Sequence, residues 1–179
     1  MKRYFIFIVI AFVSVLSLSA ECRRDSVKLT YKLHGQTRRF TAVFTHGADS
    51  GIRMDWAIER NLKMWRGSYT MTAAALASAR SMSYLMPEDG RHVTLPDGET
   101  FALLSRAALE ALKTDGTAEW AGTVYRLKEA KDGLVYAVDT IEGAEISVLD
   151  DADFPLVMSM AGNPLEINWT AEILQNGAF

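Results

Sequence analysis

The sequence predicts an α+β protein: a curved antiparallel β-sheet of about eight or nine strands, with one or two helices inserted mid-chain. Three observations carry this expectation. The stretches before residue 60 and after residue 120 alternate apolar and polar side chains with the period of two that a half-buried strand shows. Gly and Asp residues punctuate them at short intervals, as an antiparallel meander with one wet face requires. The middle of the chain, rich in Ala and Leu, carries helical spacing and capping residues instead.

The first twenty residues, MKRYFIFIVIAFVSVLSLSA, place Lys2 and Arg3 before an apolar run from Tyr4 to Leu18 and end on small residues. This is the three-part form of a secretory signal peptide, and the run is shorter than the roughly 20 residues a membrane-spanning helix needs. Residues 1–20 are therefore expected to be a signal peptide, and 21–179 a single secreted domain in the periplasm or at the outer membrane. Taking Lys2 and Arg3 from the 19 basic residues leaves 17 against 22 acidic ones, a formal charge of −5. That balance argues against nucleic acid as a partner, which needs clustered Lys and Arg to neutralise phosphate. Cys22 is the sole cysteine, so no internal disulfide forms. Its place just after the signal is that of the acylated cysteine in bacterial lipoproteins. Glu21 stands where that processing takes Gly, Ala or Ser, and both lipidation and simple release stay open.

Each strand follows from its alternation. In VKLTYKL, Val27, Leu29, Tyr31 and Leu33 share one face, and Lys28, Thr30 and Lys32 the other. Past HGQ, Phe40, Ala42 and Phe44 continue the pattern, which makes a hairpin. After the GADSG break, Ile52, Met54, Trp56 and Ile58 turn inward while Arg53, Asp55 and Glu59 turn outward. Residues 72–86 read as a helix capped by Thr72 and stopped by Pro87, although their apolar spacing is poor and a strand is the alternative. Pro96 to Gly116 reads as a firmer helix. Asp97 is its N-cap, Phe101, Leu104, Ala108 and Leu112 form its stripe, and Lys113 and Gly116 suit its C-terminal end.

The C-terminal third returns to strands from Trp120. With IEG, 141–143, as a three-residue loop, Val138 faces Ile146, Tyr136 faces Val148 and Asp139 faces Glu145. With AGNP, 161–164, as a four-residue loop, Met160 faces Leu165, Met158 faces Ile167 and Leu156 faces Trp169. A one-residue slip would send these apolar sets to opposite sides.

The chemistry of common active sites is missing from the sequence. His34, His46 and His92 sit in expected turns with no second His or Cys at a ligand spacing, and read as exposed loop histidines. The Asp-Ser-Gly of GADSG lacks the preceding apolar residues of an aspartic-protease loop, and Asp139-Thr140 lacks the following Gly. Asp49 reads instead as turning the chain through its own backbone. Asp150, Asp151 and Asp153 lack the central Gly and terminal Glu of a twelve-residue calcium loop, and the same turn chemistry accounts for them. No Gly-x-Ser-x-Gly elbow occurs, and the lone Cys lies at the start of the mature chain, away from any base. The reading therefore leans away from an enzyme, with no cofactor or metal.

What stands out is apolar: Trp56, Trp65, Trp120 and Trp169, with Met54, Met64, Met158 and Met160. Such side chains fill a core, or line a cleft that adapts to an apolar ligand. An exported chain of amphipathic strands with one or two helices, closing on EISVLDDADFPLVMSM, resembles envelope proteins with the half-barrel architecture of LolA-like lipoprotein carriers. The resemblance covers residues 120–174 and departs from the carriers at the N-terminus, where they begin with a helix. It implies an apolar ligand on the concave face of the sheet, with helices over the opening. The expected function is binding of a hydrophobic ligand or lipidated partner by Met54, Trp56, Leu156, Met158, Met160, Ile167 and Trp169. The alternative is an interaction or assembly module that pairs with another envelope protein through an edge strand or acidic face.

Overall fold

The structure, a computed structural model, describes residues 23–33, 35–83, 88–163 and 166–174. The expected signal peptide, Cys22, His34 and the Pro87 helix stop lie outside the described residues. The strands are β1 (Arg24–Leu33), β2 (Gln36–His46), β3 (Ile52–Arg60), β4 (Lys63–Met71), β5 (Ser81–Met82), β6 (His92–Thr94), β7 (Glu99–Thr100), β8 (Thr117–Trp120), β9 (Thr123–Lys131), β10 (Leu134–Asp139), β11 (Glu145–Leu149), β12 (Val157–Ala161) and β13 (Ile167–Leu174). The helices are α1 (Ala73–Ser78) and α2 (Arg106–Thr114).

Eleven strands form one open, curled sheet in the order β6-β4-β3-β2-β1-β13-β12-β11-β10-β9-β8, while β5 and β7 make a separate parallel ribbon. Within the large sheet only the short β4–β6 pair is parallel. The expected α+β class holds, and the strand count rises above eight or nine. The edge strands β6 and β8 are short, of three and four residues.

β1 lies mid-sheet, paired with β2 on one side and β13 on the other, and so joins an N-terminal meander to a C-terminal one. The inward faces of β1 to β3 match the alternation: Val27, Leu29, Tyr31, Phe40, Ala42, Phe44, Ile52, Met54, Trp56 and Ile58 are all buried. Between β3 and β4 the pair Arg60–Lys63 encloses Asn61 and Leu62, both at positive φ (51° and 59°), the conformation of a type I′ turn. Asn suits this turn and Leu does not, since its Cβ crowds the backbone there. Leu62 is also 95 % exposed and gains nothing by packing. Leu62→Gly is therefore expected to stabilise the fold by about 0.5–1 kcal/mol, net of the flexibility Gly adds to the unfolded chain, read as a higher urea midpoint.

Three local expectations change. The second helix begins at Arg106, capped by Ser105, which accepts the Ala108 N–H at 3.3 Å, and not at Asp97. Asp97 instead accepts the Thr72 hydroxyl proton at 2.6 Å. Phe101 and Leu104 belong to an extended segment, where Ala102 sits at φ 56°, a conformation no helix contains. The first helix keeps its Thr72 cap but ends at Ser78, followed by β5. The β10–β11 register is shifted by one residue, so Ala137 faces Ile146, Val138 faces Glu145 and Val135 faces Val148. The loop is longer than IEG because the Asp139 carboxylate accepts the Ile141 N–H (2.8 Å) and the Asp139 N–H reaches the Ala144 carbonyl (2.7 Å). The β12–β13 register moves by four residues, setting Trp169 opposite Met160 and not Leu156. Leu165, the expected partner of Met160, lies outside the described residues. An even shift preserves faces, so Met160, Ile167 and Trp169 still point into the core.

The concave face is closed by the run from Leu95 to Leu104. The Leu95 N–H donates to the Thr70 carbonyl at 2.9 Å and the Phe101 N–H reaches the Met71 Sδ at 3.4 Å. At its other end, the Val157 N–H donates to the Ala102 carbonyl (2.8 Å) and the Leu104 N–H to the Pro155 carbonyl (2.9 Å). This strap therefore crosses from β4 to β12 and buries Phe101, Ala102, Leu103 and Leu104 against the sheet. α2 packs on β8 and β9 and contacts α1, covering the C-terminal side with Ala108, Leu109 and Leu112.

Candidate functional site

The apolar residues expected to bind a ligand pack in or against the core. Met54, Trp56, Leu156, Met160, Ile167 and Trp169 are each 6 % exposed or less, and Met158 is half-buried. They form two groups. On the N-terminal side Trp56 meets the Phe40 ring edge-on at 6.3 Å and lies over Gly67. On the C-terminal side Trp169 stacks with Tyr31 (6.1 Å), meets Trp120 edge-on (6.5 Å), and donates its Nε1 proton to the Val157 carbonyl at 2.9 Å. The space between sheet and strap, bounded by Leu29, Tyr31, Phe40, Phe101, Ala102 and Trp169, is about 10 Å³. That is room for a single water at most. A larger open groove of about 500 Å³ touches Met160 and Trp169 beside Thr30, Lys32 and Asn168. Two buried indole N–H groups, those of Trp56 and Trp120, have no acceptor among the described residues.

A wider open groove lies elsewhere, where β2 and β3 part. Their ladder ends at the Thr41–Ala57 pair. Beyond it, residues 36–40 stay bound to β1 and residues 58–60 to β4, but the two segments are not paired with each other. The groove so formed measures about 760 Å³ and is walled by Arg38, Arg39, Arg60 and Arg66, with Thr41, Met64 and one acid, Glu59, between them. Arg39 and Arg66 are exposed, Arg38 and Arg60 half-buried. Arg38 donates to the Gln36 side chain at 3.3 Å, and the Arg60 guanidinium lies 4.7 Å from the Trp65 ring centre. Among the described residues none of the four is in an ion pair, whereas Arg23, Arg53, Arg80, Arg91, Lys113 and Lys128 each sit beside a carboxylate. Four guanidinia from β2, β3 and β4, none in an ion pair among the described residues, can hold carboxylates through paired N–H donors. Sequence reasoning missed them. RR in QTRRF and the arginines of ERNLKMWR share no period that would mark one site, and the register of β2 against β3 and β4 is what gathers them.

The histidine expectation is corrected at His46, and His92 is exposed as expected but lies in a strand and not in a turn. His46 ends β2 half-buried, its Nε2 3.1 Å from Asp25 and its ring tilted against Phe154 at 5.5 Å. His92 lies in β6, its Nδ1 2.8 Å from the Ser68 hydroxyl. Among the described residues no three His, Cys, Asp or Glu side chains converge as a metal site would require. Asp49 does turn its own backbone, accepting the Gly51 N–H at 3.1 Å.

Asp151 turns the chain as expected, accepting the N–H groups of Asp153 (2.9 Å) and Phe154 (3.2 Å), and also receives the Arg23 guanidinium at 2.9 Å. Burial opposes ionisation of Asp151. The hydrogen bonds from Arg23 and the two backbone donors, with the guanidinium charge, outweigh it and hold the carboxyl below its usual range. The native state thus binds this proton less readily than the unfolded chain. The resulting stability is complete above about pH 5 and lost as the pH falls through the native value, below about pH 4. Asp151→Asn keeps an oxygen acceptor for the turn but no charge. Its urea midpoint is expected to fall less steeply than the parent's between about pH 5 and pH 3. Equal slopes would mean that the Arg23–Asp151 pair contributes nothing.

No family model matches the chain, nor does any curated protein or solved structure. Among the described residues no helix is long and apolar enough to cross a membrane.

Proposed function

We propose that the protein is an exported interaction module that binds a protein partner through the arginine-walled groove between β2 and β3. One contrast supports this reading. The apolar face is covered by its own strap with about 10 Å³ to spare, while the groove is open, about 760 Å³ in size and lined by cations without ion-pair partners. A surface that carries unneutralised like charges forgoes stability, which a partner of opposite charge recovers on binding. The exposed Leu62 and Met64 beside the groove supply apolar contact of the kind found at interface centres.

The test places a photo-crosslinking amino acid at Met64, in the groove wall, and separately at Glu110, exposed on α2. Both variants are irradiated in the cells that make the protein. A discrete protein adduct at Met64 and none at Glu110 is expected, and the identified partner should rebind the purified chain. No adduct at Met64 would overturn the proposal.

A second reading, binding of an apolar ligand on the concave face, is favoured by the unpartnered Trp56 and Trp120 N–H groups, each a donor that costs about 1–3 kcal/mol when left unbonded. A ligand carrying an oxygen acceptor would satisfy them once the strap lifted. Under this reading lipid co-purifies with the protein, and fatty acids shift its tryptophan fluorescence.

A further inference from the structure

We infer that the occupant of the β2–β3 groove is an extended acidic segment of the partner, laid along the open strand edges with its carboxylates on Arg39 and Arg66. The inference rests on the proposed interaction function and names the chemistry the groove selects. Two features point to a peptide strand. First, the facing edges of residues 36–40 and 58–60 are bound to their outer neighbours, β1 and β4, but not to each other. Main-chain N–H and C=O groups on such edges recognise another main chain, whose side chains then alternate between the two sides of the new strand. Second, the charges alternate with that geometry. Arg39 and Arg66 follow the outward register of Thr41 and Ala57, on the side where Glu59 also lies, whereas Arg38 shares the register of the inward Phe40. A segment with acidic residues at every second position meets this outward pair, while Arg38 and Arg60, on the registers of the inward Phe40 and Ile58, add positive charge on the opposite side of the groove.

Charge complementarity fixes the sign of the ligand. The formal balance of the whole chain is −3, yet the groove wall holds four cations against one acid. An acidic segment would be repelled by the bulk of the surface and attracted here, which sets register as well as location. Nucleic acid is disfavoured by the same balance, because a duplex or long single strand reaches well beyond one groove and meets the acidic surface around it.

The probe is a fluorescein-labelled peptide of alternating glutamate and valine, about ten residues long, followed by fluorescence anisotropy with the full mature chain. Binding is expected with a Kd below about 100 µM at low salt, weakening at least about tenfold at about 0.5 M salt. The glutamine analogue of the peptide, and the Arg39→Glu/Arg66→Glu variant, should each lose at least about tenfold. Both residues are exposed, so the variant should keep its fold, checked by circular dichroism and melting temperature. Arg39→Lys/Arg66→Lys, which keeps the charge but not the paired donors, should bind about two- to fivefold more weakly than the parent while remaining salt-sensitive. Peptide binding that charge reversal leaves unchanged would overturn the inference, as would absence of peptide binding or tighter binding of a short oligothymidylate. The partner proposal fails separately: a crosslinked partner at Met64 whose capture survives Arg39→Glu/Arg66→Glu leaves the interaction function standing and removes the acidic segment, whereas no adduct at all removes the function.

Discussion

Gly67→Ala is expected to destabilise the protein by about 3 kcal/mol or more, lowering the melting temperature by about 6–12 °C. Gly67 lies on β4 opposite Trp56 of β3, and the indole covers it. A Cβ at this position would stand 2.3 Å from the Arg91 carbonyl oxygen, 2.4 Å from Trp56 Cζ2 and 2.8 Å from Trp56 Cε2. The ring cannot withdraw, because Phe40 meets it edge-on and it is 3 % exposed. The carbonyl cannot withdraw either, since it accepts the Ser68 N–H at 3.0 Å beside the β4–β6 ladder. Overpacking therefore falls on backbone as well as side chain. Gly98→Ala is the matched control: nothing stands within 4 Å of its added Cβ, and its effect should lie within about 0.5 kcal/mol of zero. Equal melting temperatures for the two variants would show that the indole does not lie over Gly67. Relief by Trp56→Leu in the Gly67→Ala background should be partial, because the carbonyl contact remains.

Trp169→Ala is expected to cost about 3–5 kcal/mol, the range for removing a large aromatic from a packed core. The residue is 4 % exposed, stacks with Tyr31 across the β1–β13 seam, meets Trp120, and donates to Val157 on β12. It thus ties together the strand that joins the two meanders and the C-terminal sheet beside it. Trp169→Phe should keep much of the ring contact and lose the bond to Val157, leaving its carbonyl without that donor and costing about 1–2 kcal/mol. The two substitutions, compared by urea unfolding, separate packing from hydrogen bonding. If Trp169→Phe cost as much as Trp169→Ala, the parts a phenyl ring lacks, the Nε1 bond and the fused ring, would account for the effect and the retained stack for none.

The concave face and the groove differ in how far the sequence discloses them. Val27 to Tyr31, Phe40 to Phe44 and Ile52 to Ile58 declare their buried side because each strand has one apolar face and one polar face. In LVYAVD both faces are apolar, and nothing local separates the register with Val138 and Tyr136 inward from the observed one with Val135 and Ala137 inward. The hydrogen bonds of Asp139 choose between them. Phe101 and Leu104 fit a helical stripe by spacing, and the same two residues serve equally well in an extended strap. Ser105 is the better cap, and the helix starts there.

Alternation, turn residues and helix caps act within a few positions, so the sequence already carried the α+β class, the inward faces of the first three strands, the Thr72 cap and the turns at Asp49 and Asp151. Strand registers in the C-terminal half, the strap that fills the concave face, and the gathering of Arg38, Arg39, Arg60 and Arg66 depend on segments distant along the chain meeting in space. Those contacts are set by loop geometry and by competition for one shared core, and neither leaves a periodic mark on the residues that take part.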